Sequence, residues 1–164
     1  MKKATYSGKS GLYSCAFPVK GFTPLLEAIK DLLEEDNIKI YPITDFHCTI
    51  MYSRKDAPHS IRVTKLLNAG PFTFKSWSDK LDYWEGHDKA GYLVLKLTSR
   101  DLDLRHEQYA DLGCKHSFPD YEAHITIADN VGAKPTNLAK INRMLKSLKF
   151  EITFAGEQVE DIKD

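Results

Sequence analysis

Ala123-His124-Ile125-Thr126-Ile127 alternates apolar and polar side chains, and Phe46-His47-Cys48-Thr49-Ile50 repeats the pattern 77 positions earlier. In an extended strand, alternate side chains share one face of the sheet. We therefore expect two strands that each carry a histidine and a threonine on one face and apolar side chains on the other. Chance predicts roughly 0.02 occurrences of His-x-Thr-Ile in a chain of this composition, which is far below the two copies present.

The composition indicates a globular chain, and we treat residues 1–164 as one domain. The 164 residues are 42% hydrophobic and 28% charged, so the chain can bury a sizeable core. The 23 basic and 23 acidic residues cancel. A neutral chain argues against binding to long duplex nucleic acid by charge alone, but it is compatible with a small anionic ligand in a local pocket.

Three features of the sequence predict a cytoplasmic protein without a membrane partner. No apolar run approaches the roughly 20 residues that span a bilayer. The N-terminal residues 1–5 lack the apolar core of a secretion signal. Cys15, Cys48 and Cys114 form no Cys-x-x-Cys pair, which is typical of reduced thiols. We expect Cys48 to face the core and not to act as a nucleophile.

Hydrophobic spacing predicts an α+β fold of mainly antiparallel strands. Predicted strands cover residues 11–17, 43–52, 71–77, 81–84, 92–97, 122–128 and 150–154, and predicted helices begin at Thr23, Ser60, Ser99 and Thr136. Residues 156–164 form one more strand or a tail. Each half of the chain contains a strand-helix-strand unit whose second strand carries a His-x-Thr motif.

The two motifs together predict acid–base chemistry at phosphorus. If the motif strands face each other across a cleft, one imidazole can accept a proton while the other donates one. The neighbouring threonine hydroxyls can donate hydrogen bonds to phosphate oxygens. Two histidines without further acidic or thiolate ligands at recognisable spacing disfavour a zinc site, and we expect no metal or other cofactor. A single such motif would more simply be a half-buried histidine.

The remaining histidines and the aromatic residues have weaker assignments. His59, His87, His106 and His116 are predicted to be surface residues. Tyr52 and Tyr121, which lie next to the motif strands, either rim the groove or pack in the core or on the surface. Tyr13, Trp77 and Trp84 can stack on bases, but core packing is the usual role of an aromatic side chain.

The paired motifs resemble those of the two-histidine phosphoesterase superfamily, which includes RNA 2′,3′-cyclic phosphodiesterases. The resemblance spans most of the chain. It implies two pseudo-symmetric lobes of mainly antiparallel sheet around a central groove, with helices packed on the outside. It also implies metal-independent action on nucleotide phosphodiesters, with His47, Thr49, His124 and Thr126 as the catalytic residues.

Within that superfamily the chain is most similar to the phage anti-CBASS phosphodiesterases, which destroy the cyclic di- and trinucleotide signals of bacterial antiphage defence. The similarity rests on the compact length and on Gly11-Leu12-Tyr13, Ser76-Trp77 and Phe150-Glu151-Ile152. It implies cleavage of 3′-5′ bonds in a cyclic oligonucleotide such as 3′,3′-cGAMP. It also implies base stacking by Tyr13 and Trp77 and a ligand contact by Glu151, with Trp84 as a second candidate for stacking.

Two alternatives to this function stay open. One is an RNA-end 2′,3′-cyclic phosphodiesterase, which would use the same four motif residues on a different substrate. The other is a non-catalytic module that sequesters a nucleotide intact. The presence of histidine and threonine in both motifs favours an enzyme, and the neutral net charge favours a small ligand over long RNA.

Overall fold

The computed structural model describes residues 6–55, 57–86, 90–118 and 120–162, and these residues have an α+β fold. The strands are β1 (Leu12–Lys20), β2 (Cys48–Ser53), β3 (Phe74–Trp84), β4 (Gly91–Thr98), β5 (His124–Val131) and β6 (Glu151–Asp161). The helices are α1 (Phe22–Glu35), α2 (Ser60–Asn68), α3 (Arg100–Asp111) and α4 (Leu138–Leu148). The predicted α+β class is therefore confirmed. No helix in these ranges is long and apolar enough to cross a membrane.

All six strands belong to one antiparallel sheet in the order β1-β2-β5-β4-β3-β6, which closes because β6 also pairs with β1. The sheet consists of two three-stranded groups, β6-β1-β2 and β3-β4-β5. The groups join through four residue pairs between β3 and β6, but β2 and β5 share one pair in the described residues, Cys48 with Ile125. The closed sheet is therefore most weakly joined between the two motif strands.

The predicted alternation of faces holds along the motif strands. Ile125 and Ile127 are fully buried, whereas His124 and Thr126 are partly exposed. The helices cover parts of the sheet, with α1 against β1 and β6, α3 against β2 and β3, and α4 against β3. The apolar face of β5 therefore packs in the core, and the motif side chains on its other face stay accessible to solvent.

The bounds of β2, β3 and β6 differ most from those predicted. The first motif strand begins at Cys48 and not at residue 43, because the preceding segment turns to pack Phe46 against Phe22, with 4.7 Å between the ring centroids. The predicted strands 71–77 and 81–84 are one strand, β3, whose register shifts between Ser78 and Lys80 without ending it. The last strand continues through residue 156 as β6 and ends at Asp161.

The helix starts were predicted with mixed success. Ser99 caps α3 as predicted, because its hydroxyl accepts a hydrogen bond from the Leu102 amide at 3.2 Å. Helix α1 begins at Phe22 after an N-cap glycine, Gly21, and not after Thr23. The φ of Gly21 is 89°, and a Cβ there would meet the Glu151 carbonyl, so only glycine fits. Helix α4 is preceded by Asn137 and not by Thr136.

Candidate active site

The two motif strands lie side by side in the sheet and do not face each other across a cleft, which corrects the sequence-based expectation. Cys48 pairs with Ile125 in antiparallel register. His47 immediately precedes β2, and Thr49 is the residue of β2 that follows the paired Cys48. Because alternate side chains share a face, Thr49, His124 and Thr126 lie on the face opposite the buried Cys48 and Ile125.

Both motif histidines make the same local hydrogen bond. Nδ1 of His47 lies 3.0 Å from the carbonyl oxygen of Asp45, and Nδ1 of His124 lies 2.8 Å from that of Glu122. A carbonyl oxygen can only accept, so Nδ1 carries the proton in both rings. Each neutral ring therefore keeps the lone pair of Nε2 as the site that can accept a proton. The bond from residue i to the carbonyl of residue i−2 repeats the sequence symmetry of the motifs.

His124 is half-buried and packs against an indole ring. Its indole neighbour Trp84 lies 4.5 Å away between ring centroids, in an edge-to-face arrangement. Burial lowers the pKa of His124 below its usual value, the bond to the Glu122 carbonyl opposes this shift, and the charges of His47 and Lys96 add to it. The two motif histidines are therefore close enough for the charge of His47 to lower the pKa of His124.

Thr49, His124 and Thr126 line a groove of about 850 Å³. His47 is not among its lining residues, but its ring lies beside that of Tyr13, which lines the groove. The walls of the groove contain six Tyr, Trp or Phe side chains, together with threonines, histidines and three carboxylates. The lining residues are Tyr13, Thr49, Tyr52, Trp84, Glu85, Gly86, Tyr92, Val94, His116, Phe118, Asp120, Tyr121, Glu122, His124 and Thr126. A groove of this volume lies within the range of small-molecule sites in proteins.

Of the three residues that the resemblance implies for ligand binding, the structure brings Tyr13 to the groove. Its hydroxyl lies 3.5 Å from Oγ1 of Thr49, and its ring lies 6.3 Å from that of His47. Burial raises the pKa of Tyr13 to about 12, so the phenol is protonated at neutral pH. Tyr13 can therefore both donate a hydrogen bond and present an aromatic face beside the first motif.

Trp77 and Glu151 are neighbours on β3 and β6, and neither lines the groove. Trp77 is 49% exposed, and the Glu151 carboxylate pairs with Lys75 at 3.2 Å. Trp84, at the other end of β3, does line the groove, and its indole Nε1 donates to the Asp82 carboxylate at 3.2 Å. The structure thus brings Trp84, and not Trp77, into contact with a motif histidine.

Sequence reasoning missed the surroundings of His106 and His116. Both were expected at the surface, but both are half-buried, and His116 lines the groove with Tyr121. His106 lies on α3 and His116 in the loop after it, and neither belongs to a His-x-Thr pattern, so no spacing rule joins them to the site. His59 caps α2 and is mostly solvent-accessible, and His87 lies outside the described residues.

Two further predictions concern the thiol and metal chemistry of the site. Cys48 is fully buried, as predicted, and burial raises the pKa of its thiol to about 12, which makes it a poor nucleophile at neutral pH. Within the described ranges, no group of three or more His, Cys, Asp or Glu side chains is arranged to hold a metal ion.

Comparison with known proteins identifies the family. Residues 11–164 match the family described as "Anti-CBASS protein Acb1". The protein of that name from Salmonella phage S16 is 36% identical over 124 residues, which cover 75% of this chain and 74% of the relative. The protein from Enterobacteria phage T4 is 35% identical over 125 residues, with the same two shares. That from Yersinia phage phiR1-RT is 36% identical over 65% of each chain. The chain therefore belongs to the family of the anti-CBASS protein Acb1.

Proposed function

We propose that the protein is a two-histidine phosphodiesterase that needs no metal ion and cleaves the 3′-5′ bonds of cyclic di- and trinucleotides. The observation that carries this proposal is the matched pair of hydrogen bonds from Nδ1 of His47 and His124 to backbone carbonyls. These bonds orient both imidazoles and leave both Nε2 atoms able to exchange protons. Two such imidazoles, each two residues before a threonine hydroxyl on adjacent strands, are suited to acid–base catalysis.

The reaction follows from the chemistry of a ribose 3′-5′ phosphodiester. One histidine removes the proton from the 2′-hydroxyl, whose oxygen attacks the adjacent phosphorus. The P–O5′ bond breaks, and the other histidine, protonated, gives its proton to the leaving 5′-oxygen. The ring opens to a linear product with a 2′,3′-cyclic phosphate. Water can then hydrolyse this phosphate, with the two histidines exchanging roles.

The threonines supply the electrostatic part of the proposed mechanism. The hydroxyls of Thr49 and Thr126 can donate hydrogen bonds to the non-bridging phosphate oxygens, where negative charge increases during attack. The Tyr13 hydroxyl lies near Oγ1 of Thr49, so it can orient this threonine or reach the same phosphate. Donors fixed by a strand lose little entropy on binding, which favours the transition state.

The charges around the groove favour a small cyclic ligand over a long RNA end. Glu85, Asp120 and Glu122 line the groove, and no lysine or arginine is among its described lining residues. A polyanion that follows such a surface would be repelled, whereas a compact ligand presents few phosphates and several base edges. Destruction of a cyclic signal in the cytoplasm of the infected host would account for an anti-CBASS role.

The test is incubation of the chelator-treated protein with 3′,3′-cGAMP, followed by chromatography of the products. We expect a linear product from the wild type and intact ligand from the protein with His47→Ala and His124→Ala. Intact ligand that co-elutes with the wild type would favour a sequestering module instead. Without cleavage or binding, RNA ends that carry 2′,3′-cyclic phosphates become the substrate to test.

Base stacking is expected to depend more on Trp84 than on Trp77. Trp84 lies in the groove against His124. Loss of a stacking ring costs about 1–3 kcal/mol, so Trp84→Ala should raise KM for 3′,3′-cGAMP roughly 5- to 150-fold. Steady-state kinetics of Trp84→Ala and Trp77→Ala make the comparison. A larger increase in KM for Trp77→Ala would favour the sequence-based assignment of Trp77, together with its neighbour Glu151, as the ligand-binding wall.

A further inference from the structure

One edge of β2 lacks a regular strand partner beyond Cys48. β1 pairs with one edge of β2 from Ala16 to Leu12, but the described residues of β5 pair with the other edge at Cys48 alone. Backbone groups at an open, partly buried strand edge need other hydrogen-bond partners. In this protein the partners come from α3 and from the loop that leads into β5.

Three rings supply hydrogen-bond partners to backbone groups of β2. The Tyr121 hydroxyl donates to the Thr49 carbonyl at 2.7 Å. Nδ1 of His106 lies 2.6 Å from the Ile50 carbonyl and donates to it, because a carbonyl oxygen only accepts. The Tyr52 amide donates to Nδ1 of His116 at 3.3 Å. Side chains therefore hold three backbone groups of β2, and the Ser117 amide donates to a fourth, the Tyr52 carbonyl.

These rings also pack on one another. The rings of His106 and Tyr121 are stacked, with 3.9 Å between centroids and an angle of 9°. The ring of His116 meets both of them edge-on, at 5.0 Å from His106 and 5.4 Å from Tyr121. Displacement of one ring would therefore disturb the hydrogen bonds made by the other two.

We propose that His106, His116 and Tyr121 form a positioning unit that fixes Thr49 at the candidate active site. Because the unit holds the Thr49 carbonyl, it limits rotation of the backbone that carries the Thr49 hydroxyl. This inference rests on the proposed function in so far as Thr49 contacts the substrate phosphate. The three residues are positioning residues, since they would act through Thr49 and through the strand.

The hydrogen bonds define the protonation state that the unit requires. Nδ1 of His116 accepts from the Tyr52 amide, so its neutral ring carries the proton on Nε2. An imidazolium would put a second donor against this amide and break the bond. Burial, with a smaller contribution from His106, lowers the pKa of His116 to about 4, which keeps the ring neutral at physiological pH.

The first test is a double-mutant cycle between Tyr121 and Thr49. Tyr121→Phe keeps the stacked ring but removes the donor to the Thr49 carbonyl, so we expect kcat for 3′,3′-cGAMP to fall about tenfold with KM nearly unchanged. In the Thr49→Ala background the same change should have less than about a twofold effect, because the group it positions is gone. An equal loss in both backgrounds would overturn the proposal.

Tyr6→Phe is the matched control for this cycle. Its hydroxyl also donates to a backbone carbonyl, that of Pro58, but Tyr6 does not line the groove. The variant should lose a similar hydrogen bond without a change in kcat. A kcat for Tyr6→Phe as low as that of Tyr121→Phe would mean that general destabilisation explains both results, and the positioning role would be rejected.

Amide hydrogen exchange tests the unit without any substrate. We expect the Tyr52 amide to exchange about tenfold faster in His116→Phe, which lacks the acceptor, and near the wild-type rate in His116→Asn, whose side-chain oxygen can replace Nδ1. An unchanged exchange rate of the Tyr52 amide in His116→Phe would overturn the proposal that the three rings hold β2. If the wild type does not cleave the cyclic nucleotide, the proposed function fails, while exchange still decides whether the rings hold β2.

Discussion

A His124→Ala variant is expected to lose at least about a hundredfold in kcat for cleavage of 3′,3′-cGAMP, with a much smaller change in KM. General acid–base groups typically contribute 10²–10⁴-fold, and the imidazole of His124 is held by the Glu122 carbonyl with its Nε2 available. Initial rates over a range of substrate concentrations separate kcat from KM. His59→Asn is the matched control, because asparagine can replace His59 as the acceptor at the start of α2.

The pH dependence should distinguish the roles of the two motif histidines. Burial, together with the charge of His47, lowers the pKa of His124, so its neutral form persists to lower pH than that of an ordinary histidine. We therefore expect His124 to act as the base in the first step, and the acidic limb of kcat/KM to lie below about pH 6.5. The activity that depends on neutral His124 is present above its folded pKa and is lost as the pH falls through it.

Two results would contradict this assignment. A loss of only a few-fold in His124→Ala would mean that His124 does not transfer a proton in the rate-limiting step. An acidic limb that persists unchanged in the residual activity of His124→Ala would assign that limb to another group. In that case the same profile for His47→Ala would show whether His47 is the first base.

The local part of the site could be predicted from the sequence because strand alternation is a local property. His124 and Thr126 had to share a face once the segment was extended, and Ile125 had to share the opposite face with Ile127. The burial of Cys48 followed from the same rule. These predictions needed no knowledge of which strands are neighbours.

The adjacency of the motif strands could not be predicted, because it depends on long-range pairing. The choice between Trp77 and Trp84 has the same origin. A register shift between Ser78 and Lys80 joins two predicted strands into β3, and the pairing of that strand determines which indole reaches His124. A hydrogen bond from Trp84 to Asp82 then orients the ring, and nothing in the spacing of the sequence indicates it.

The positioning unit of His106, His116 and Tyr121 depends on similar long-range contacts. His106 is 56 residues from the Ile50 carbonyl in sequence, and His116 is 64 residues from the Tyr52 amide. Each histidine by itself has the sequence context of a surface residue. A strand edge that lacks a partner indicates where such groups are needed, and this edge is visible only after the sheet is assembled.

The largest loss of stability is expected from Glu157→Gln, at about 3–5 kcal/mol in the free energy of unfolding. The Glu157 carboxylate makes two bonds with the Arg105 guanidinium, at 2.9 and 2.5 Å, and accepts a third from the Tyr109 hydroxyl at 2.6 Å. The side chains of Arg105 and Glu157 are only 7% and 5% exposed. The amide has no charge, so the variant would leave a buried cation without its counterion.

Urea denaturation monitored by circular dichroism measures this loss, and two comparisons define its cause. Glu35→Gln removes the carboxylate of an exposed pair with Lys140 and should leave the free energy of unfolding nearly unchanged. Replacement of both buried partners, as Arg105→Met with Glu157→Leu, should recover much of the loss, because no uncompensated charge remains. A Glu157→Gln protein as stable as Glu35→Gln would show that the buried pair does not secure α3 against β6.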